Sequence, residues 1–179
     1  MNLLDRETIV ELLTQLGARL VRRGLEAELY VVGGTAMALA YNRTKVTTDI
    51  DAIFEPVAEV EAEARAMARD RRDLPDDWLN SKVKPLLPVL YDQNQVEALS
   101  APGISVNVAS PEHLLAMKVR AARDDRDLQD VLALVRILNL RSMPEVWAIA
   151  DAVWSTDLIT PESRFTVTEY LLHYGLHRA

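Results

Sequence analysis

The sequence predicts an α+β fold in which a strand-rich part precedes a helical C-terminal half. The chain has 179 residues, of which 49% are hydrophobic and 26% are charged, so it can bury the core of about one domain. Short apolar runs and two-residue alternation occur before residue 108, whereas helical spacing dominates after residue 110. Strands followed by helices are typical of the α+β class. We therefore expect a sheet core over residues 1–108 and a helical part, packed on that core, over residues 109–179.

The first half of the chain predicts alternating helices and strands. Residues 5–23 have the apolar spacing of an amphipathic helix, and Gly24 follows as a stop signal. We expect a strand over residues 28–32, a short helix over 33–41, a second strand over 48–54 and a helix over 57–72. Three prolines break up residues 73–92, so we assign no long element there.

The second half begins with a hairpin and continues as helices. Residues 95–99 and 104–108 predict two strands around a Pro102-Gly103 turn. Ser110 followed by Pro111 is a strong helix start, and this helix is expected to reach about residue 122. Further helices are expected over about 127–139, 143–154 and 161–174.

Composition limits the cellular setting and the function. The formal net charge of −7 argues against a surface coated with basic residues for nonspecific nucleic-acid binding, although it leaves a nucleic-acid substrate open. The chain has no cysteine, so it has neither a disulfide framework nor a thiolate metal site. The N-terminal sequence lacks the layout of a signal peptide, and no apolar stretch approaches the length of a membrane span. We expect a cytoplasmic protein without membrane association.

A glycine pair and an acid pair form the most informative motif. Gly33 and Gly34 stand where an apolar run becomes a helix, and such a turn exposes backbone N–H groups that can bind phosphate. Asp49 and Asp51 are two residues apart on the next expected strand, so their side chains point to the same face. Adjacent carboxylates repel each other unless a cation lies between them, and hard oxygen ligands suit Mg²⁺. The motif predicts a phosphate site beside a metal site.

The order of these residues resembles the core signature of the DNA polymerase β-type nucleotidyltransferase superfamily. Two glycines, fourteen residues and then Asp-Ile-Asp carry the resemblance. It implies a mixed sheet with both acids on one strand. It also implies transfer of a nucleoside monophosphate from an NTP, with Mg²⁺, or Mn²⁺ as an alternative, as the cofactor and pyrophosphate as the leaving group.

Charged residues also lie on the apolar stripes of two later helices. Lys118 lies between Leu114 and Ala122 on its stripe, so it either extends its ammonium to the surface or meets an anion inside the fold. A salt bridge with a structural carboxylate is one alternative for Lys118. Asp127 begins the next stripe and is either a functional acid or an N-terminal cap, whereas Asp130 lies on the flank of the stripe.

The stretch KVRAARDDRDLQD resembles the K-x-x-A-x-R…D-x-x-D helix pair of AbiEii/MenT-type nucleotidyltransferase toxins. The resemblance covers about residues 28–138. It implies a toxin with a cognate antitoxin, and it implies that Lys118 holds triphosphate oxygens. The site implied by this resemblance consists of Thr47 or Thr48, Asp49, Asp51, Lys118 and Asp127.

One position departs from the superfamily pattern. Many polymerase β-type enzymes carry a third acid on a later strand, but Asn107 stands there in this chain. A neutral amide binds Mg²⁺ weakly and cannot act as a general base. Three alternatives follow: Asp127 or Asp130 replaces the third acid, only one metal ion is bound well, or the site is inactive. Arg43 and Lys45 precede the acid pair and either contact phosphate or belong to an exposed turn.

The sequence thus favours a nucleotidyltransferase that modifies RNA, with the 3′ end of tRNA as the most plausible acceptor, and that acts as a toxin. Two alternatives remain at this stage. The same residues would serve a transferase whose acceptor is a protein or a small molecule, and the acidic charge balance slightly favours both this alternative and the next one. A nucleotide-binding protein with a decayed site is the other alternative.

Overall fold

A five-stranded sheet and seven α-helices form the described part of the chain. The computed structural model describes residues 3–42, 44–71, 73–122 and 124–177. The strands are β1 (Ala27–Val31), β2 (Ile50–Glu55), β3 (Leu79–Asn80), β4 (Val96–Ala101) and β5 (Ile104–Val108). The α-helices are α1 (Arg6–Val21), α2 (Gly33–Ala36), α3 (Val57–Asp70), α4 (Pro111–Ala121), α5 (Asp125–Ile137), α6 (Met143–Val153) and α7 (Pro161–His173). None of the helices in these ranges combines the length and apolar character that crossing a bilayer requires.

The sheet is mixed and has the strand order β3-β2-β1-β5-β4. Strand β1 pairs antiparallel with β2 and parallel with β5. The short strand β3 extends β2 in parallel, and β4 and β5 form an antiparallel hairpin. The register places Val31 of β1 opposite Ala52 of β2, so the end of β1 lies beside the start of β2.

One face of the sheet is buried and the other is half-exposed. Helix α1 contacts β4 and β5, α3 contacts β2 and β3, and the two helices contact each other. Every second residue of the three central strands is buried, and these residues are Ala27, Leu29, Val31, Ile50, Ala52, Phe54, Ile104, Val106 and Val108. The intervening residues, which include Tyr30, Asp51 and Asn107, lie on the half-exposed face. This face carries the polar residues of the sheet.

Two glycines allow α1 to lie directly against the β4–β5 turn. A Cβ at Gly17 would lie 2.6 Å from the backbone oxygen of Pro102 and 2.7 Å from Cγ2 of Ile104. Gly103 has a φ of +78°, and a Cβ there would lie 2.4 Å from the backbone oxygen of Gly17. Side chains at either position would push the helix away from the sheet, which explains why glycine stands at both.

The chain divides into two compact units. The first contains the residues up to Leu86 together with Asn94–Ala109, and it holds the whole sheet. The second contains Leu87–Gln93 and the residues from Ser110 onward. In the second unit α4 contacts α5, α6 and α7, and the indole Nε1 of Trp154 donates to the carbonyl of Ala116 at 3.1 Å.

Polar contacts explain why residues 87–93 belong to the helical unit. The buried carboxylate of Asp92 accepts a hydrogen bond from the backbone N–H of Ser110 at 2.8 Å. The ring Nδ1 of His113 lies 3.4 Å from the same carboxylate, and its Nε2 lies 3.2 Å from the carbonyl of Leu90. The first turn of α4 therefore holds this segment.

The α+β class and the mixed sheet are confirmed, whereas several local boundaries differ from expectation. The helix expected over 33–41 is α-helical over Gly33–Ala36 and continues as a π-helix over Met37–Tyr41. Strand β2 begins at Ile50, so Asp49 precedes the strand and only Asp51 lies within it. Strand β3 and a 3₁₀ turn over Lys84–Leu86 occur where no element was expected. The proline-interrupted stretch is too short in each piece for a periodic signal.

Candidate active site

The glycine turn lies directly against the acid pair. Gly33 has a φ of +65°, which favours glycine, and a Cβ at this position would lie 3.7 Å from Oδ2 of Asp51. A Cβ at Gly34 would lie only 3.0 Å from the hydroxyl oxygen of Thr47. The backbone N–H of Val32 donates to the carbonyl of Asp51 at 3.0 Å, which joins the end of β1 to the start of β2. The first unit thus brings Gly33, Gly34, Thr47 and Asp51 into one small region.

Asp49 is held in place by four polar contacts. The hydroxyls of Thr35 and Thr47 donate to its backbone carbonyl at 2.8 and 3.2 Å. The hydroxyl of Thr48 donates to Oδ1 of its carboxylate at 3.2 Å, and the amide of Asn80 donates to Oδ2 at 3.2 Å. Both threonines predicted at the site, Thr47 and Thr48, therefore contact Asp49.

The donor set fits a divalent cation with hard ligands. Asp49 and Asp51 are both half-exposed, so water and a ligand can reach their carboxylates. No cluster of three or more His, Asp or Glu side chains suited to a metal occurs among the residues that the structure describes. Two carboxylates are nevertheless sufficient, because Mg²⁺ in proteins is usually bound through one or two carboxylates together with substrate phosphates and water.

A polar pocket adjoins Asp49. It has a volume of about 280 Å³ and is lined by Glu61, Arg65, Asp76, Asp77, Leu79, Asn80, Ser81 and Lys82. Asn80 is 7% exposed and connects the pocket to the carboxylate of Asp49. Sequence reasoning missed Asn80 and Thr35. Asn80 stands on a two-residue strand with no periodicity, while the position of Thr35 directly after the glycine pair was the available signal.

Lys118 forms a buried ion triad inside the helical unit. Its Nζ lies 2.7 Å from Oδ1 of Asp127 and 2.9 Å from Oδ2 of Asp130, and the three side chains are 14%, 12% and 3% exposed. Burial opposes the ammonium charge, but the hydrogen bond with Asp127 and the charge of Asp130 outweigh it, so the pKa of Lys118 is raised. The structure therefore joins Lys118 to Asp127 through a salt bridge, which is the alternative role that the sequence left open for Lys118.

The first turn of α5 excludes the capping alternative for Asp127. Helix α5 begins at Asp125, and the carboxylate of Asp124 caps it by accepting from the N–H groups of Arg126 and Asp127 at 3.0 Å. Asp127 is therefore not the cap, and its side chain is turned toward Lys118. Asp130, which was expected on the flank of the stripe, is buried at 2% exposure.

Asn107 lies on the same face of the sheet as Asp51. The register places Asn107 opposite Tyr30 of β1 and opposite Glu97 of β4. Tyr30 in turn lies opposite Ile53, two residues after Asp51. Because directly opposed residues share a face, Glu97 brings an exposed carboxylate beside the amide that replaces the expected acid. Arg43, which was predicted to bind nucleotide, lies outside the described residues.

Comparisons with known proteins identify the family of the chain. The model of the family described as "Nucleotidyltransferase of unknown function (DUF6036)" matches residues 7–169. No curated protein matches the chain. Among solved structures, the crystal structure of an antigenic nucleotidyltransferase-like protein from Paracoccidioides brasiliensis is similar over 99% of this chain and 97% of that chain, with 12% identity and a TM-score of 0.48. Because the family model matches well over half of the chain, the chain belongs to this nucleotidyltransferase family.

Proposed function

We propose that the protein transfers a nucleoside monophosphate from an NTP to an RNA acceptor, with the 3′ end of tRNA as the preferred acceptor, and that it acts as a toxin. Membership of a nucleotidyltransferase family supports the general reaction. The observation that carries the proposal is the approach of the glycine turn to the acids, with Gly33 beside the carboxylate of Asp51 and Gly34 beside Thr47. A phosphate bound at this turn would lie next to the carboxylates.

In this proposal Asp49 and Asp51 hold Mg²⁺, or Mn²⁺ in its place. Bound there with the NTP, the cation would neutralise phosphate charge and assist departure of pyrophosphate. Asn80 and Thr48 each donate to the carboxylate of Asp49 at 3.2 Å and so fix its orientation. The hydroxyl of Thr35 fixes the backbone of the same residue at 2.8 Å. These contacts hold the carboxylate in place before the substrate arrives.

The backbone at the glycine turn supplies the proposed phosphate contacts. The N–H groups in the first turn of a helix have no intrahelical acceptors. Gly33 and Gly34 begin α2 and have no side chain, so nothing on these residues would obstruct a phosphate that approaches their N–H groups. The catalytic roles predicted for Lys118 and Asp127 stay predictions. A triphosphate that recruited Lys118 would have to compete with two carboxylates for its ammonium.

The RNA acceptor and the toxin role rest on the helix-pair resemblance. They imply a cognate antitoxin and, with it, a cytoplasmic setting. An antitoxin could cover the acid pair or phosphorylate Thr47 or Thr48, and the added charge would repel a triphosphate. Mass spectrometry after co-expression with the neighbouring gene product tests the second route, and unmodified threonines in an inactivated protein would exclude it.

The net charge of the chain supports a second class of acceptor. The net charge of −7 disfavours a polyanionic acceptor and favours a protein or a small molecule such as an aminoglycoside. The chemistry at the acid pair would be the same, since only the attacking hydroxyl differs. Nucleotide binding without transfer would instead indicate a decayed site, with Asn107 as the residue responsible.

One labelling experiment separates these functions. The protein is incubated with each α-³²P-labelled NTP, Mg²⁺ and total bacterial RNA, and the products are resolved on a gel. We expect label in a tRNA-sized band with the wild-type protein and a loss of at least about a hundredfold with Asp49→Asn, because the metal site would lose one of its two charges.

The matched control is Glu55→Gln, which removes a carboxylate from the exposed far end of β2, the strand that follows Asp49. It should label RNA as the wild type does. Label in a protein band would indicate the alternative acceptor. Equal labelling by Asp49→Asn and wild type would contradict the assignment of the acid pair.

A further inference from the structure

The side-chain amide of Asn80 links the loop after β3 to the acid pair. Asn80 donates from Nδ2 to Oδ2 of Asp49 at 3.2 Å, and its Oδ1 accepts the backbone N–H of Lys82 at 3.0 Å. Asn80 is buried, so exchange of these bonds with water is restricted. The backbone of Lys82 therefore has a defined position relative to the carboxylate of Asp49.

The ammonium of Lys82 is held by a weak, exposed ion pair. Its Nζ lies 2.5 Å from Oδ2 of Asp77, and the two side chains are 68% and 59% exposed. Exposed pairs of this kind contribute little to stability, so the ammonium can leave Asp77 at small cost. Lys118 differs, because its ammonium is buried between two carboxylates.

The surroundings of Lys82 favour its charged form. The pKa of Lys82 is raised, chiefly by the hydrogen bond and the charge of Asp77, and to a smaller extent by the charges of Asp49 and Asp51. The geometric link is Asn80, whose side chain bonds both the carboxylate of Asp49 and the backbone N–H of Lys82, so the loop holds the base of the Lys82 side chain near the acid pair. Lys82 also lines the pocket of about 280 Å³, which gives its four-carbon side chain room to turn.

We propose that Lys82 binds phosphate oxygens of the NTP at the acid pair, exchanging Asp77 for the triphosphate when the nucleotide enters. This inference rests on the proposed function. Asp49 and Asp51 would hold a cation that offsets part of the triphosphate charge, and the flexible ammonium of Lys82, two residues beyond Asn80, would offset more. When the nucleotide binds, Lys82 gains a charge-assisted contact with phosphate and loses only its solvent-exposed contact with Asp77. Lys82 thus serves as a nucleotide-binding residue that sequence reasoning did not single out for the site.

Equilibrium binding tests this role. Isothermal titration of wild-type protein with Mg²⁺ and each of ATP, CTP, GTP and UTP identifies the tightest NTP, and the corresponding NMP is then titrated. We expect Lys82→Ala to weaken NTP binding about tenfold, which corresponds to about 1.4 kcal/mol for one contact with a charged group. Binding of the NMP should change less than about twofold, since most of the phosphate charge is missing from it.

Two variants make the test specific. Lys82→Arg keeps the positive charge and should retain NTP affinity within about threefold of wild type. Lys84→Ala removes an exposed lysine two residues along the same loop and should bind as wild type does. Thermal melts of all variants check that folding is unchanged.

The outcomes separate this inference from the proposed function. If wild type binds an NTP in a manner that depends on Asp49 but Lys82→Ala binds it equally well, the role of Lys82 is wrong and the acid-pair site stands. Equal weakening of NTP and NMP binding by Lys82→Ala would also overturn it. If wild type binds none of the four NTPs, the proposed function fails, and the role of Lys82 fails with it.

Discussion

Replacing Lys118 by methionine removes the ammonium that two buried carboxylates share. The ammonium lies 2.7 Å from Asp127 and 2.9 Å from Asp130, so each attraction is worth about 6 kcal/mol at an effective dielectric constant of 20. Most of this is offset in the folded protein by the desolvation of three charges. Loss of one partner from a buried ion pair costs about 3–5 kcal/mol, and the 14% exposure of Lys118 favours the lower end of that range.

The assay is thermal and urea unfolding followed by far-UV circular dichroism. For a chain of this size about 3–5 kcal/mol corresponds to a fall in Tm of roughly 6–20 °C. Asp130→Asn should cost less, because it leaves one ammonium with one carboxylate. Lys84→Met, a change at an exposed lysine, should alter the free energy of unfolding by no more than about 0.5 kcal/mol.

A Tm for Lys118→Met within the range of the Lys84→Met control would refute this reasoning. It would mean that Asp127 and Asp130 find other partners or become protonated without cost. If that stable variant also lost nucleotide transfer, the triphosphate-binding role predicted for Lys118 from the sequence would gain support. If Lys118→Met lost both stability and transfer, the experiment would not separate the structural role of Lys118 from its predicted role in triphosphate binding. Lys118→Arg would then be compared with wild type in both assays.

Three further predictions concern packing, the glycine turn and pH. Gly17→Ala should lower the free energy of unfolding by about 1–3 kcal/mol in urea titrations, because its Cβ would lie 2.6 Å from the carbonyl of Pro102; an unchanged midpoint would contradict the close approach of helix and turn. Gly34→Ala should keep the far-UV spectrum but weaken NTP binding in isothermal titration, since its Cβ would press on the hydroxyl of Thr47 at 3.0 Å, and wild-type affinity would count against the phosphate site. The stabilisation that Lys118 gains from its raised pKa should be complete below the ordinary lysine pKa of 10.5 and be lost as the pH rises through the folded-state pKa; urea midpoints in this alkaline range should fall more for wild type than for Lys118→Met.

Periodic elements were predictable from the sequence, whereas irregular ones were not. Helix α1 was expected over residues 5–23 and occupies Arg6–Val21, and the hairpin around Gly103 forms as expected. The superfamily resemblance is confirmed at the level of a nucleotidyltransferase family, while the narrower resemblance to toxins stays a prediction. Strand β3 was missed because two residues carry no periodicity, and its position follows from pairing with β2.

The site was predictable where chemistry lies in a short motif. The glycines and Asp51 meet as expected, because a strand, a turn and an antiparallel neighbour force them together. Asn80 and Lys82 could not be found in this way, since they reach the acid pair through side-chain contacts that depend on the folded loop. The start of α5 was predicted to within one helical turn, but Asp124 and not Asp127 caps the helix. Residues 123–127 are five consecutive charged residues, and such a run gives no basis for choosing the cap.

The position of β5 between β1 and β4 has a consequence for folding kinetics. The pairing of β1 with β5 is parallel and joins segments separated by most of the strand-rich half of the chain. Helix α1 and the β4–β5 hairpin involve local contacts and can form quickly, but closing the sheet requires a slow, non-local encounter. During synthesis the edge of β1 that faces β5 therefore stays unpaired until β5 has been synthesised. Fragments that end before Ile104 would lack β5, the parallel partner of β1, and would be prone to aggregate through the exposed edge of β1.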